Sequence, residues 1–361
     1  MGIIRVLLAI SVVIAHTNKI FGFGLVGGQI AVQVFYIISG FYMTLILNEK
    51  YIGINNSYKL FISNRLLRLY PIYWTVFILT LITSIGLYII SSGHSFGKLQ
   101  PYFDNISMMN FGSIFFLILT NIILLFQDWV MFLGIDLNSG GLFFTSNFRE
   151  TKPALYHFLI IPQAWTIGIE ITFYLIAPFI VKKSVRVVCL LILSSVLLRV
   201  LIYASGFKHD PWTYRFFPTE LLFFLLGTIA YHGYKKIEVL NIKGTYLKII
   251  YFSVLIFTFS FSWIPFQYKT YLYMGLFFLS LPFIFILSKK WKIDRYIGEL
   301  SYPVYICHML VLMMVEYTGF DINQGVITIV ISILLSVLLN ELIAKKIESI
   351  RQSRVLITND K

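Results

Sequence analysis

Gly27-Gly28-Gln29-Ile30-Ala31-Val32-Gln33-Val34-Phe35-Tyr36-Ile37-Ile38-Ser39-Gly40-Phe41-Tyr42-Met43-Thr44-Leu45-Ile46-Leu47 carries no charged side chain along its whole length. A helix needs about 20 mostly apolar residues to cross the hydrocarbon core of a bilayer, and this stretch has them. Ten further segments share its character: roughly 3–20, 71–91, 113–133, 160–181, 185–205, 216–233, 247–264, 271–288, 300–317 and 325–344. Composition agrees. Of 361 residues 58% are hydrophobic and only 12% charged, against about 25% charged in ordinary soluble chains. A soluble domain has no way to hide so much apolar surface, and disordered, collagen-like and disulfide-rich classes fail on the same numbers. The expected fold is all-α, a polytopic membrane helix bundle.

The net charge of +13 would suggest nucleic acid in a soluble protein. In a membrane protein it points instead to Lys and Arg sorted to one face. Eleven full crossings would put Lys182, Lys183 and Arg186 opposite the other basic loops. The conflict vanishes if the segment near 113–133 is non-crossing or re-entrant, which leaves about ten transmembrane helices. Lys50, Lys59, Arg65 and Arg68 then share a side with the basic clusters at 182–186, 235–248 and 289–295 and with the tail to Lys361. Lys19, Lys98, Arg149, Lys152, Lys208 and Lys269 fall on the other side. The positive-inside rule makes both N and C termini cytoplasmic. The basic, amphipathic stretch 54–70 is expected to lie on the cytoplasmic surface. Residues 1–348 are expected to form one membrane domain and 349–361 a short cytoplasmic tail. The N-terminal run is expected to be an uncleaved first span rather than a secretory signal, and Cys189 and Cys307 fit neither a disulfide framework nor a zinc spacing.

Each ionisable group inside a span costs at least ~2.5 kcal/mol, so each needs a reason. Arg5 and His16 are eleven positions apart, which puts them on the same helical face about 16 Å apart along the axis. Glu170, in Trp165-Thr166-Ile167-Gly168-Ile169-Glu170-Ile171-Thr172-Phe173-Tyr174, is expected at a depth similar to His16, so a carboxylate and an imidazole can pair as orienter and base. Arg65 and Arg68 form an i, i+3 pair at the start of the third span, and two forked guanidiniums suit a phosphorylated ligand. Lipid phosphates satisfy the same pair. Ser301, Tyr302, Tyr305 and His308 place polar groups in one late span. Glu220 is expected to pair with Arg215. No metal-binding motif is present.

Together these blocks resemble the acyltransferase 3 family of integral-membrane O-acyltransferases, which includes O-acetyltransferases of bacterial O-antigen and exopolysaccharide. The similarity rests on Arg5-x10-His16, Val32–Phe41 with its Ser39-Gly40-Phe41 ending, Arg65-x2-Arg68-x2-Pro71, Trp165-Thr166-x3-Glu170-x2-Phe173-Tyr174 and Ser301-Tyr302-x2-Tyr305-x2-His308. Many relatives have an acidic residue where this chain has Gly2, and Asp where it has Gln33.

The resemblance implies transfer of an acetyl group from cytoplasmic acetyl-CoA, a co-substrate, to a hydroxyl of a surface or lipid-linked glycan. It implies residence in the bacterial inner membrane, with membrane lipids as further partners and no nucleic acid. In this reading His16 and Glu170 are catalytic, and Arg5, Arg65 and Arg68 bind the acyl-CoA. Ser39, Trp165, Tyr174, Ser301, Tyr302 and His308 support the substrates. A transporter or flippase for a lipid-linked sugar is the alternative. It would be expected to show inverted repeats or broken helices, and no such symmetry is evident.

Overall fold

The structure, a computed structural model, describes residues 1–17, 20, 22–319 and 323–355; Lys19 and Lys361 lie outside the described residues. Helices form throughout because in oil every backbone N–H and C=O must find a partner within its own segment. In chain order they are α1 (Gly2–His16), α2 (Gly28–Glu49), α3 (Tyr58–Ile90), α4 (Gln100–Asn105), α5 (Phe111–Ile123), α6 (Trp165–Ile180), α7 (Val185–Ala204), α8 (Phe217–Glu238), α9 (Gly244–Ser260), α10 (Lys269–Ser288), α11 (Lys292–Thr318), α12 (Gln324–Leu339) and α13 (Lys345–Ser353). Between α5 and α6 lies an antiparallel hairpin of β1 (Leu133–Ile135) and β2 (Leu142–Phe144), with Gly134 opposite Phe143. This hairpin is a small departure from an all-helical chain.

Among the described residues, eight helices are long and apolar enough to cross a membrane. The protein is therefore a polytopic helical bundle. The expected ten crossings would add the 15-residue α1 and α8, which carries Glu220, Lys235, Lys236 and Glu238.

One expectation changes. The surface stretch 54–70 and the span 71–91 are not separate: α3 is one 33-residue helix with Pro71 inside it. Proline removes a single N–H from the ladder, a loss that packed membrane helices tolerate. The apolar stretch 113–133, expected not to cross, is not one continuous helix. Its helix α5 has 13 residues, about 20 Å at 1.5 Å per residue, which is shorter than the ~30 Å hydrocarbon core. Beyond α5 the chain turns through Leu124 and Phe126, both at positive φ (62° and 68°).

The chain divides into two compact units. The first comprises Met1–Arg68, Tyr174–Ser194 and Leu221–Lys361. Here α1 packs on α2 and α11, α11 on α12, and α9 on α10. In this unit α2 and α8 touch backbone to backbone: a Cβ at Gly40 would fall 1.8 Å from the Phe224 carbonyl oxygen, and one at Gly227 would fall 2.1 Å from that of Ile37. Small residues of this kind let membrane helices approach closely. Tyr36 stacks on Phe224 at 4.6 Å, and the buried Thr44 hydroxyl meets that of Thr228 at 2.9 Å. The Gly40 of the Ser-Gly-Phe ending is thus explained by packing.

The second unit comprises Leu69–Phe173 and Ser195–Glu220. Within it the last carbonyls of α5 are met by three aromatic donors of α3. Tyr73 donates to Asn121, Trp74 to Ile122 and Tyr70 to Ile123. A short apolar helix would otherwise end with bare carbonyls.

Candidate active site

In the first unit α1 and α11 lie side by side and run in the same direction. At one end Gly2 meets Asp294 and Gly298, and at the other His16 meets His308. The α11 residues Asp294, Gly298, Ser301, Tyr305 and His308 recur at intervals of three and four, which keeps them on one helical face. Between the two polar ends the seam is apolar, with Ala9, Val13 and Val304 fully buried and Phe35, Ile329 and Ile333 packed around them.

Asp294 explains the glycine at position 2. Its carboxylate accepts from the backbone N–H of Gly2 (2.7 Å) and of Ile3 (3.0 Å), capping α1 from a neighbouring helix. A Cβ at Gly2 would sit 1.5 Å from the Asp294 carbonyl oxygen. α1 has no acidic residue in its first turn, and α11 supplies a carboxylate at that helix end instead.

At the far end the His16 and His308 ring centroids are 5.3 Å apart, with planes at 35°. His308 is fully buried and His16 is exposed. Nδ1 of His308 lies 2.7 Å from the Tyr305 carbonyl oxygen. A carbonyl only accepts, so this nitrogen carries the proton, and in the neutral ring Nε2 is left as an acceptor. Two imidazoles, one reachable and one held in a fixed tautomer, make an arrangement able to take up and pass a proton.

The other end gathers the arginines. Arg5 lies against α11, its Nη1 3.4 Å from where a Cβ on Gly298 would be. Ser301 donates to the Gly298 carbonyl at 2.7 Å. Arg65, only 5% exposed at the start of α3, has no hydrogen-bond partner at Nε. Its guanidinium stands 6.0 Å from the Phe61 ring and feels the charge of Arg68. The charges of Arg5 and Arg68 both act on Tyr42 and on Glu299. The first unit therefore brings Arg5, Arg65 and Arg68 into one electrostatic neighbourhood.

The other expected residues are distributed as follows. Ser39 is buried on α2, Ser301 is buried and Tyr302 half-buried on α11, and Tyr174 is buried in the first unit within electrostatic reach of Arg65. In the second unit Trp165 is buried at the start of α6, with the Arg215 guanidinium 4.2 Å from its ring centroid, and Glu170 is half-buried five residues further along. Glu220 does not pair with Arg215. It is fully buried against Arg199 at 2.5 Å, while Arg215 pairs with Asp210 at 2.7 Å.

Two features escaped the sequence. The neighbour of His16 in the first unit is His308, a contact that spacing cannot reveal because the two rings are on different helices. Asp128, in the turn after α5, is 4% exposed with no partner at Oδ1, and burial pushes its carboxyl up to about 7. Its only sequence signal is a Gln-Asp pair interrupting an apolar stretch. Among the described residues no group of three or more His, Cys, Asp or Glu is placed to hold a metal ion.

Comparison with known proteins adds the chemistry. An uncharacterized protein of Aquifex aeolicus (strain VF5) is 28% identical over 208 residues, covering 53% of this chain and 89% of that protein. No solved structure matches. The profile of the acyltransferase 3 family, described as an acyltransferase domain, matches residues 1–343. That span takes in both ends of the α1–α11 seam and nearly every membrane helix. The chain belongs to the acyltransferase 3 family and is a multi-pass membrane acyltransferase.

Proposed function

We propose that this protein transfers an acetyl group from acetyl-CoA to a hydroxyl of a surface or lipid-linked glycan at the bacterial inner membrane, the donor entering from the cytoplasm. The observation that carries the reading is the α1–α11 seam, with arginines at one end and the His16–His308 pair at the other. The rise from Arg5 to His16 is about 16 Å, a span suited to a donor whose phosphates are held at one end while its long pantetheine arm delivers the thioester to the other. Arg5, Arg65 and Arg68 hold the phosphates through charge-assisted bonds.

His16 accepts the proton of the acceptor hydroxyl as that oxygen attacks the thioester carbonyl carbon. The C–S bond then breaks, and the imidazolium returns its proton to the departing CoA thiolate. His308 orients the His16 ring. Glu170 keeps the role assigned to it from the sequence, as the carboxylate that orients the base. Ser39, Trp165, Tyr174, Ser301 and Tyr302 shape the binding surfaces for donor and acceptor.

The test is NMR of glycans from a deletion strain complemented with wild type, His16→Ala or Glu170→Gln. Wild type restores O-acetyl signals and His16→Ala does not, although the variant still inserts in the membrane. Full O-acetylation by His16→Ala would overturn the mechanism, and full O-acetylation by Glu170→Gln would remove that carboxylate from it.

A further inference from the structure

We infer that Arg351, on the C-terminal helix α13, is a further cation of the donor's phosphate site, beside Arg65 and Arg68. It lies beyond residue 343, where the family match ends. The inference rests on the reading that Arg65 and Arg68 hold CoA phosphates.

α13 grips the start of α3 immediately before Arg65. The Arg351 Nε donates to the Asn64 carbonyl at 2.8 Å. Arg354 donates to the Asn64 side chain at 3.0 Å and to the Ser63 hydroxyl at 2.8 Å. Asn64 is itself buried, with its amide on the Tyr51 hydroxyl at 3.1 Å. This tether holds the Arg351 guanidinium, 9% exposed, where it feels the charges of both Arg65 and Arg68.

A staple alone has no need of that charge. Gathering three guanidiniums in a partly buried place is unfavourable unless anions answer them. The carboxylate in contact with Arg351 is Glu348, one turn away on the same helix. Arg65 keeps an Nε without a partner, and among the described residues the Nη2 of Arg351 makes no hydrogen bond. Glu348 and Glu299 both act on Arg68, but Arg65 and Arg351 keep cationic donors that no described residue answers, and a doubly or multiply charged phosphate group supplies what is lacking. Such phosphate belongs either to CoA or to an anionic lipid headgroup, and the test separates the two.

The full chain is reconstituted in phosphatidylcholine nanodiscs and titrated with CoA by calorimetry. Arg351→Gln is expected to weaken CoA binding about tenfold, the scale of one charged hydrogen bond. Arg351→Lys, which keeps the charge and gives up the bond to Asn64, is expected to stay within about threefold of wild type. Arg354→Gln, which loosens the same tether, is expected to stay within about twofold. CoA affinity unchanged in Arg351→Gln overturns the inference, as does an Arg351→Lys or Arg354→Gln variant as weak as Arg351→Gln, because then the tether and not the charge matters. If Arg351→Gln binds CoA normally but loses a rise in Tm that phosphatidylglycerol nanodiscs give wild type over phosphatidylcholine ones, the phosphate is a lipid's and the donor assignment is overturned. A wild-type protein that binds no CoA defeats the underlying reading instead, so the two failures are distinguishable.

Discussion

The two ends of the α1–α11 seam solve the same problem in opposite ways. Both place ionisable groups where a bilayer penalises them. At the Arg5 end the groups are guanidiniums, which stay charged at any physiological pH, and Asp294 is committed to capping α1. At the His16 end the groups are imidazoles, which can be neutral, and one is fixed by a backbone carbonyl. Permanent charge suits holding a polyanion, and a neutral ring that can gain a proton suits chemistry. The lesson is a division of labour along one pair of helices, with an apolar seam between.

The comparison breaks most easily at the histidines. His16→Ala should lower kcat by about 10²–10⁴-fold, the range of a lost general base, with little change in the donor KM; steady-state transfer assays on purified protein would show it. His308→Gln should cost less, about 10²-fold in kcat through misplacement of the His16 ring. Equal kcat in that variant and wild type would separate His308 from the reaction. At the other end Arg65→Gln and Arg68→Gln should each raise the donor KM about tenfold while kcat holds. A drop in kcat alone would erase the distinction between the ends.

A gentler change sharpens it. A Cβ in Gly298→Ala would meet the Gly2 Cα at 2.7 Å and the Arg5 Nη1 at 3.4 Å, so the arginine end must spread. Overpacking of this kind costs about 1–3 kcal/mol, visible as a lower Tm with a raised donor KM. A separate effect, on stability and not on transfer, is expected away from the seam. The Asp128 carboxyl is pushed up to about 7 from an ordinary 3.8, so its protonated form is the one the fold prefers. Stability is then fully present below about pH 4, is lost progressively between about pH 4 and 7, and levels off above that. Thermal unfolding followed from pH 4 to pH 7 should show this loss in wild type and not in Asp128→Asn.

Much of this was legible from local properties of the chain. Apolar length set the membrane class, and the helical period put Arg5 and His16 on one face. The proximity of Arg65 and Arg68 likewise follows from three-residue spacing. What failed was anything that depended on which helices meet. Glu220 lies near Arg215 in the chain, yet the structure gives it Arg199 from α7. The stretch 54–70 reads as a surface helix because its charges are local, but its junction with the next span is continuous through Pro71.

The sequence by itself determined that this is a polytopic helical protein and which helical faces carry polar groups, because transfer free energy and helix period are properties of each segment alone. Only the tertiary structure decided that His308 stands beside His16, that Asp294 rather than an acid on α1 caps the first helix, and that α13 returns to Asn64. Those choices follow from helix crossings set by close contacts such as Gly2 on Asp294 and Gly40 on Phe224. Whether two backbones can approach that closely depends on both surfaces at once, which no single segment encodes.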